Sequence, residues 1–315
     1  MFKYKSKFFN TGRSTYFHHR YGVIFRKNRF RAMALHASTL LVVGGGFFTV
    51  TNLAIPAIKH IGALQSRQTI DVDSVAQAEP ESDKKALPEI RKENEELKDL
   101  ISDKLATFPE TQNWSVFLYD LKSSSTVSIN TDHVFAAGSL YKLFLLEALE
   151  SKLPYEKWAY TWMDDGTNIE TCIYEMLRSS DSACGETLGD YIGWEYINDL
   201  AEKNGYKNTM ITKNKGREAT AADIGEFFIR LKKGQMLSDN ARRFVFDALY
   251  QQILKKGITP GCGDCRTAVK IGEMQAVAHD AGIVTHGQRS YVLVIMSEGG
   301  NLKQVTAITK AIESR

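Results

Sequence analysis

A serine and a lysine three positions apart, Ser139 and Lys142, stand at the mouth of an apolar run that continues through Leu143, Phe144, Leu145 and Leu146. On a helix, residues i and i+3 share a face, so the lysine amine can reach the hydroxyl one turn before it. A serine hydroxyl is a weak nucleophile until a neighbouring base takes its proton, and a lysine can do so when an apolar setting lowers its pKa. The same spacing also fits an ordinary buried helix with a serine near its N-terminus. Two further clusters bear on the choice. Ser180-Asp181-Ser182 falls at a helix start, where Ser and Asp also act as N-caps. Lys270-Ile271-Gly272 ends a strand-like run, where a lysine is commonly a solvated edge residue.

The elements that must position these clusters follow from periodicity. Runs at 114–121 and 126–130 are rich in β-formers and are separated by Lys122-Ser123-Ser124-Ser125, a hairpin signal. Helical patterns then dominate: 139–151, 169–177, 183–192, 194–204, 221–233 and 238–254. After Gly257-Ile258-Thr259-Pro260-Gly261 the pattern reverts to strands at 267–271, 276–284 and 290–297, and a helix at 302–314 closes the chain. Strands at both ends with helices between them predict an α+β domain, one antiparallel sheet assembled from the two ends of the domain and flanked by helices. An amphipathic helix is expected at 89–108, after Pro88.

Charge divides the chain unevenly. Residues 1–31 carry nine Lys or Arg and no acid, and the rest holds 31 basic against 37 acidic side chains. A basic tail can bind nucleic acid, but residues 32–58 contain no Asp, Glu, Lys or Arg, enough for a membrane span. Arg26, Lys27, Arg29 and Arg31 precede this span directly and place the N-terminus on the cytoplasmic side. The expected organisation is a basic tail at 1–31, an uncleaved single-pass anchor at 32–58, a polar stalk at 59–88 and an extracytoplasmic domain at 89–315, with no nucleic-acid partner.

Taken together, the three clusters resemble the signature of the penicillin-recognising serine hydrolases, especially the class A β-lactamase branch: Ser-x-x-Lys opening a helix, Ser-Asp-Asn in the helical region and Lys-Thr-Gly on a late strand. The resemblance covers roughly residues 95–315. It implies a β-lactamase/transpeptidase-like fold, with a helical domain inserted between the N- and C-terminal strands, and acyl transfer on a β-lactam or a peptidoglycan-type amide. In that scheme Ser139 attacks the carbonyl carbon, Lys142 is its base, and Ser180 relays the proton to the departing nitrogen. Lys270 attracts the substrate carboxylate and tunes the proton network. The backbone N–H groups of Ser139 and Glu273 form the oxyanion hole, and Ser182, Ile271 and Gly272 meet the substrate. No cofactor or metal is implied.

Three departures narrow the expectation. Ser182 stands where the family has Asn and offers fewer donors; Ile271 stands where it has Thr and lacks a hydroxyl. Only residues 208–219 fill the region where class A β-lactamases carry a long loop with a water-activating acid. Glu218 is the sole acid there, and an exposed or helix-dipole role is expected for it. An acyl-enzyme that forms and hydrolyses slowly follows. A non-catalytic binding or scaffold module retaining the fold is the competing class. The four cysteines allow Cys172 with Cys184 and Cys262 with Cys265 as disulfides outside the membrane, while Cys262-Gly263-Asp264-Cys265 leaves a zinc site formally open. His279 and Asp280 are read as a structural pair.

Overall fold

The computed structural model describes residues 81–315. The tail at 1–31, the span at 32–58 and the stalk up to residue 80 lie outside the described residues. Helix α1 (Glu81–Ala106) leads into strands β1 (Asn113–Asp120) and β2 (Thr126–Ile129). A short strand β3 (Phe135–Ala136) and a 3-10 turn (Gly138–Tyr141) deliver the chain to α2 (Lys142–Lys152). The helical layer continues with α3 (Ile169–Arg178), α4 (Ser182–Ile192), α5 (Trp194–Lys203), α6 (Ala221–Lys233) and α7 (Asp239–Tyr250). Strands β4 (Met210–Ile211) and β5 (Arg217–Ala219) interrupt it. Short α8 (Ile258–Cys262), strands β6 (Arg266–Met274), β7 (Val277–His286) and β8 (Arg289–Glu298), and α9 (Leu302–Glu313) complete the domain.

The main sheet has the order β2-β1-β8-β7-β6 and is antiparallel throughout. Its first hairpin pairs with the last strand, as Val116 opposite Ile295 illustrates, so the sheet joins the two ends of the domain as the strand pattern predicts. Side chains alternate across a strand. On β8, Val292, Val294 and Met296 therefore enter the apolar cluster beneath the helical layer, while Tyr291, Leu293 and Ile295 enter a second cluster with Leu97, Ile101, Val305 and Ile308 from α1 and α9. Burial on both faces explains why β8 is an almost unbroken apolar run. Edge strand β6 follows the same rule, with Ala268 toward the helical layer and Val269 and Ile271 toward α1 and α9.

Several element bounds differ from expectation. Helix α1 opens eight residues earlier than predicted and runs through Pro88, which forfeits one backbone hydrogen bond on an exposed stretch. The helix expected from residue 139 begins as a 3-10 turn and becomes α-helical only at Lys142, because Gly138 adopts φ +52° and Ala137 supplies no capping side chain. The segment 208–219 contains β4 and β5, which complete a small sheet of order β3-β5-β4. Among the described residues no helix is long and apolar enough to cross a membrane.

Candidate active site

Ser139 is half-buried on the 3-10 turn, and the turn is clamped from behind by the sheet. Gly138 and Gly272 pack backbone to backbone: a Cβ on Gly138 would lie 3.2 Å from the Gly272 carbonyl carbon, and one on Gly272 would lie 3.0 Å from the Ala137 oxygen. A second clamp is His279, whose Nδ1 accepts from the Ser297 N–H at 3.1 Å and whose Nε2 therefore donates to the Ala136 carbonyl at 2.8 Å. Burial holds this imidazole below its usual pKa and neutral. His279 and Asp280 point to opposite faces of β7. Asp280 is fully buried, accepts the Ile258 N–H at 2.7 Å, and is pushed up to about 7 by desolvation.

Both site lysines are removed from water. Lys142 is 1 % exposed, and its Nζ donates to the carbonyl oxygens of Ser180 at 2.7 Å and Asp181 at 2.8 Å. Gly185 makes room for it, since a Cβ there would sit 2.7 Å from Lys142 Cε. Desolvation lowers the amine to about 8, against the opposing pull of Asp181 and Glu186. In the neutral amine the two N–H bonds satisfy these two carbonyls and the lone pair is the one valence left, the form a general base requires. Lys270, 0 % exposed, donates to Ser180 Oγ at 2.7 Å and to the Ile271 carbonyl at 3.0 Å; burial, then repulsion from Lys142, push it down to about 7.

Ser180 is the hub. Its carbonyl takes one lysine and its hydroxyl the other, and its backbone is left-handed at φ +63°. A non-glycine residue pays about 1 kcal/mol for that conformation, and the two lysine contacts hold it there. Asp181 caps α4 by accepting the Cys184 N–H at 2.8 Å, a positioning role. Thr220 likewise caps α6 through the Asp223 N–H.

A cavity of about 620 Å³ opens beside Ser139, with Ser182, Glu273 and Met274 in its lining. Ser182 is exposed at its rim. Ile271, expected at the substrate, is 1 % exposed in the cluster under α1 and α9, on the strand face opposite Lys270 and Gly272; Lys142, Ser180, Lys270 and Gly272 lie behind the cavity and do not line it. Gly272 is buried against the turn and acts as a spacer. The N–H of Ser139 falls at the start of the 3-10 turn, where helix geometry supplies no acceptor within the helix.

One wall of the cavity was not foreseen. Arg217 grips Glu186 with two hydrogen bonds of 2.5 and 2.7 Å, and its guanidinium stacks 4.2 Å from the rings of both Tyr141 and Trp194. The Tyr141 hydroxyl donates to the same Glu186 carboxylate at 3.1 Å. Arg217 holds that carboxylate below the ordinary range, which makes it a weak base. Glu186 lies four residues after Ser182 and so on the same face of α4, a signal available in sequence. Arg217, 31 positions further on, gave none. Glu218 is exposed and outside the cavity lining. Cys172 pairs with Cys184 and Cys262 with Cys265. Donor atoms of Cys262, Cys265 and Glu313 lie within 4.8 Å of one another, with the two sulfurs joined to each other.

The sheet flanked by helices, with Ser139 and Lys142 opening α2, Ser180 ahead of α4 and Lys270 on edge strand β6, defines a β-lactamase/transpeptidase-like fold. Residues 158–314 match the model of the beta-lactamase enzyme family, a stretch that includes Ser180 and Lys270 and begins after Ser139. Among solved structures the chain is similar to PBP-A, at 18 % identity and TM-score 0.62, over 70 % of this chain and 95 % of that one. A mutant of PBP-A, solved as an acyl-enzyme complex with penicillin G, matches at 18 % and 0.64 over the same shares. A beta-lactamase from Streptomyces albus G matches at 15 % and 0.63, over 70 % of this chain and 98 % of that one. No curated protein sequence matches significantly. At these identities the structural matches establish the fold.

Proposed function

We propose that the chain is a membrane-anchored, extracytoplasmic serine hydrolase acylated at Ser139, acting on a β-lactam or a peptidoglycan-type amide. The observation that carries this reading is the convergence on Ser180 of two desolvated lysines, one of them Lys142 at the start of the helix that the Ser139 turn leads into. Ser139 Oγ attacks the carbonyl carbon as Lys142 Nζ takes its proton. The N–H groups of Ser139 and Glu273 receive the oxyanion. Ser180, held by Lys270, relays that proton from Lys142 to the departing nitrogen and regains its own, and the acyl group remains as an ester on Ser139. Hydrolysis of that ester is slow, because β4 and β5 occupy the region of the family's acid-bearing loop and Glu186 is tied to Arg217. The uncharged segment 32–58 and the basic residues ahead of it support anchoring with the N-terminus cytoplasmic.

A fluorescent penicillin tests the reading. Covalent labelling of the wild type that disappears in Ser139→Ala is expected; no labelling of correctly folded wild type would refute acyl transfer. That second outcome would favour a binding module that keeps the fold, the alternative supported by Ser182 and by the buried Ile271. Digestion of intact cells with an external protease tests the orientation, with the domain at 89–315 expected to be cleaved.

A further inference from the structure

Acyl transfer leaves one motif of the chain without a role, Cys262-Gly263-Asp264-Cys265. Both cysteines belong to the apolar cluster with α1 and α9, across the sheet from the helical layer. Packing brings a third donor to them. A Cβ on Gly261 would lie 2.5 Å from Thr309 Cβ, so α8 runs close against α9, whose last turn carries Glu313. Cys265 Sγ lies 3.9 Å from Glu313 Oε2, and the two sulfurs and a Glu313 oxygen all fall within 4.8 Å of one another. Two adjacent strands fix that carboxylate. The Tyr291 hydroxyl of β8 donates to Oε1, and His286 Nδ1 of β7 lies 2.7 Å from Oε2.

Two sulfurs and a carboxylate make a zinc donor set, and the two-residue spacing is that of zinc-binding cysteine pairs. Tetrahedral zinc holds a sulfur and an oxygen ligand about 3.5 Å apart, close to the Cys265–Glu313 separation already present. In the oxidised chain the bridge occupies both sulfurs, so the site exists only in the dithiol. There, two thiolates facing a carboxylate repel one another until a dication joins them, and soft thiolates select zinc over calcium or magnesium. Cys265 is partly exposed and lines a cavity of about 310 Å³, which gives a reductant access to the bridge. We propose that reduction of Cys262–Cys265 turns this corner into a zinc site. Cys262, Cys265 and Glu313 are its ligands, His286 and Tyr291 orient the carboxylate, and a water completes the tetrahedron. External thiols supply two electrons and two protons to the sulfurs and leave as a disulfide; Zn²⁺ then displaces both protons to solvent. The site is independent of acylation at Ser139.

The full chain provides the test, reduced with a phosphine that ends as its oxide and then given zinc or cobalt(II). Native mass spectra should show one more zinc on the reduced chain than on the oxidised one, and cobalt should show a thiolate charge-transfer band. Cys262→Ser/Cys265→Ser should lose this metal, whereas Cys172→Ser/Cys184→Ser should keep it, which separates the pair from the other bridge. Glu313→Gln leaves both sulfurs in place and should weaken zinc binding by at least about tenfold. Circular dichroism reports the fold of each protein. A reduced, folded wild type that takes no extra zinc overturns the site, as does extra zinc retained by Cys262→Ser/Cys265→Ser or unchanged affinity in Glu313→Gln. A reduced chain that stays unfolded with zinc present overturns it too, since the donors meet only in the folded corner.

Discussion

Replacing Lys142 with Met separates the catalytic and structural consequences of a buried amine. In the wild type, desolvation lowers Lys142 from 10.5 to about 8. Well below pH 8 the reactive neutral fraction should then fall tenfold for each pH unit, so acylation by a penicillin rises about fiftyfold from pH 6 to 8 and about a hundredfold to the plateau above it. The stability sign follows from the same shift. The folded pKa is depressed, so between about 8 and 10.5 the unfolded chain binds more protons than the folded one, and stability rises with pH across that interval. Each pH unit is worth about 1.4 kcal/mol, or about 2 kcal/mol between pH 8 and 9.5. Lys270, lowered from 10.5 to about 7, adds a rise of its own across the same window. Lys142→Met should fail to acylate and should keep only the share of the rise that Lys270 supplies. Thermal melts of the two proteins should therefore converge in the mutant's disfavour as pH climbs, by about 5 °C over the window for a domain of this size. An acylation rate that is flat from pH 6 to 9, or parallel pH–stability curves for the two proteins, would refute the reasoning.

Three further outcomes are expected. Glu186 raises and Arg217 lowers the proton affinity of Lys142, so Glu186→Gln should move the acylation pH profile to lower pH and Arg217→Met to higher pH; shifts in the same direction would contradict the arrangement. Ile271→Thr restores the family's hydroxyl but buries it among apolar groups on the far face of β6, so urea unfolding should show a loss of about 1–3 kcal/mol with no gain in penicillin acylation. Removing the Cys172–Cys184 bridge, which spans 12 positions and ties α3 to α4, should cost about 3 kcal/mol by the loop-closure relation, measured as a lower denaturant midpoint without loss of Ser139 labelling.

Much of the fold was legible because its signals are local. The hairpin at 122–125, the capping residue Asp181 and the apolar stripes of α3 and α6 each act within one element. A single antiparallel sheet joining both ends of the domain followed from strands lying at those ends, while its strand order did not. The depth of the lysines was not legible: Lys270 reads as a solvated edge residue, yet it is 0 % exposed and bonded to the Ser180 hydroxyl ahead of α4. Ile271 was misplaced because the motif assigns it to the substrate, while strand alternation, with Val269 and Ile271 apolar on one side, assigns it to the core. The Arg217–Glu186 wall joins residues from β5 and α4, and no periodicity connects elements so far apart. The early opening of α1 escaped because Pro88 was read as a helix start.

The pairing of β1 with β8 has a temporal side. Asn113 and Glu298, 185 positions apart, meet across the sheet, where the Asn113 side-chain amide donates to the Glu298 carboxylate at 3.4 Å. The central strands of the sheet therefore cannot pair until nearly the whole domain has been synthesised, and closing so long a loop slows folding. Until β8 arrives, β1 and β2 form only a two-stranded ribbon, which is marginal in water. A chain caught partway would expose the apolar edge of β1. The turn bearing Ser139, clamped by Gly272 and His279 from the late strands, forms among the last features of the molecule, so on the proposed function acylation at Ser139 would report that folding has finished.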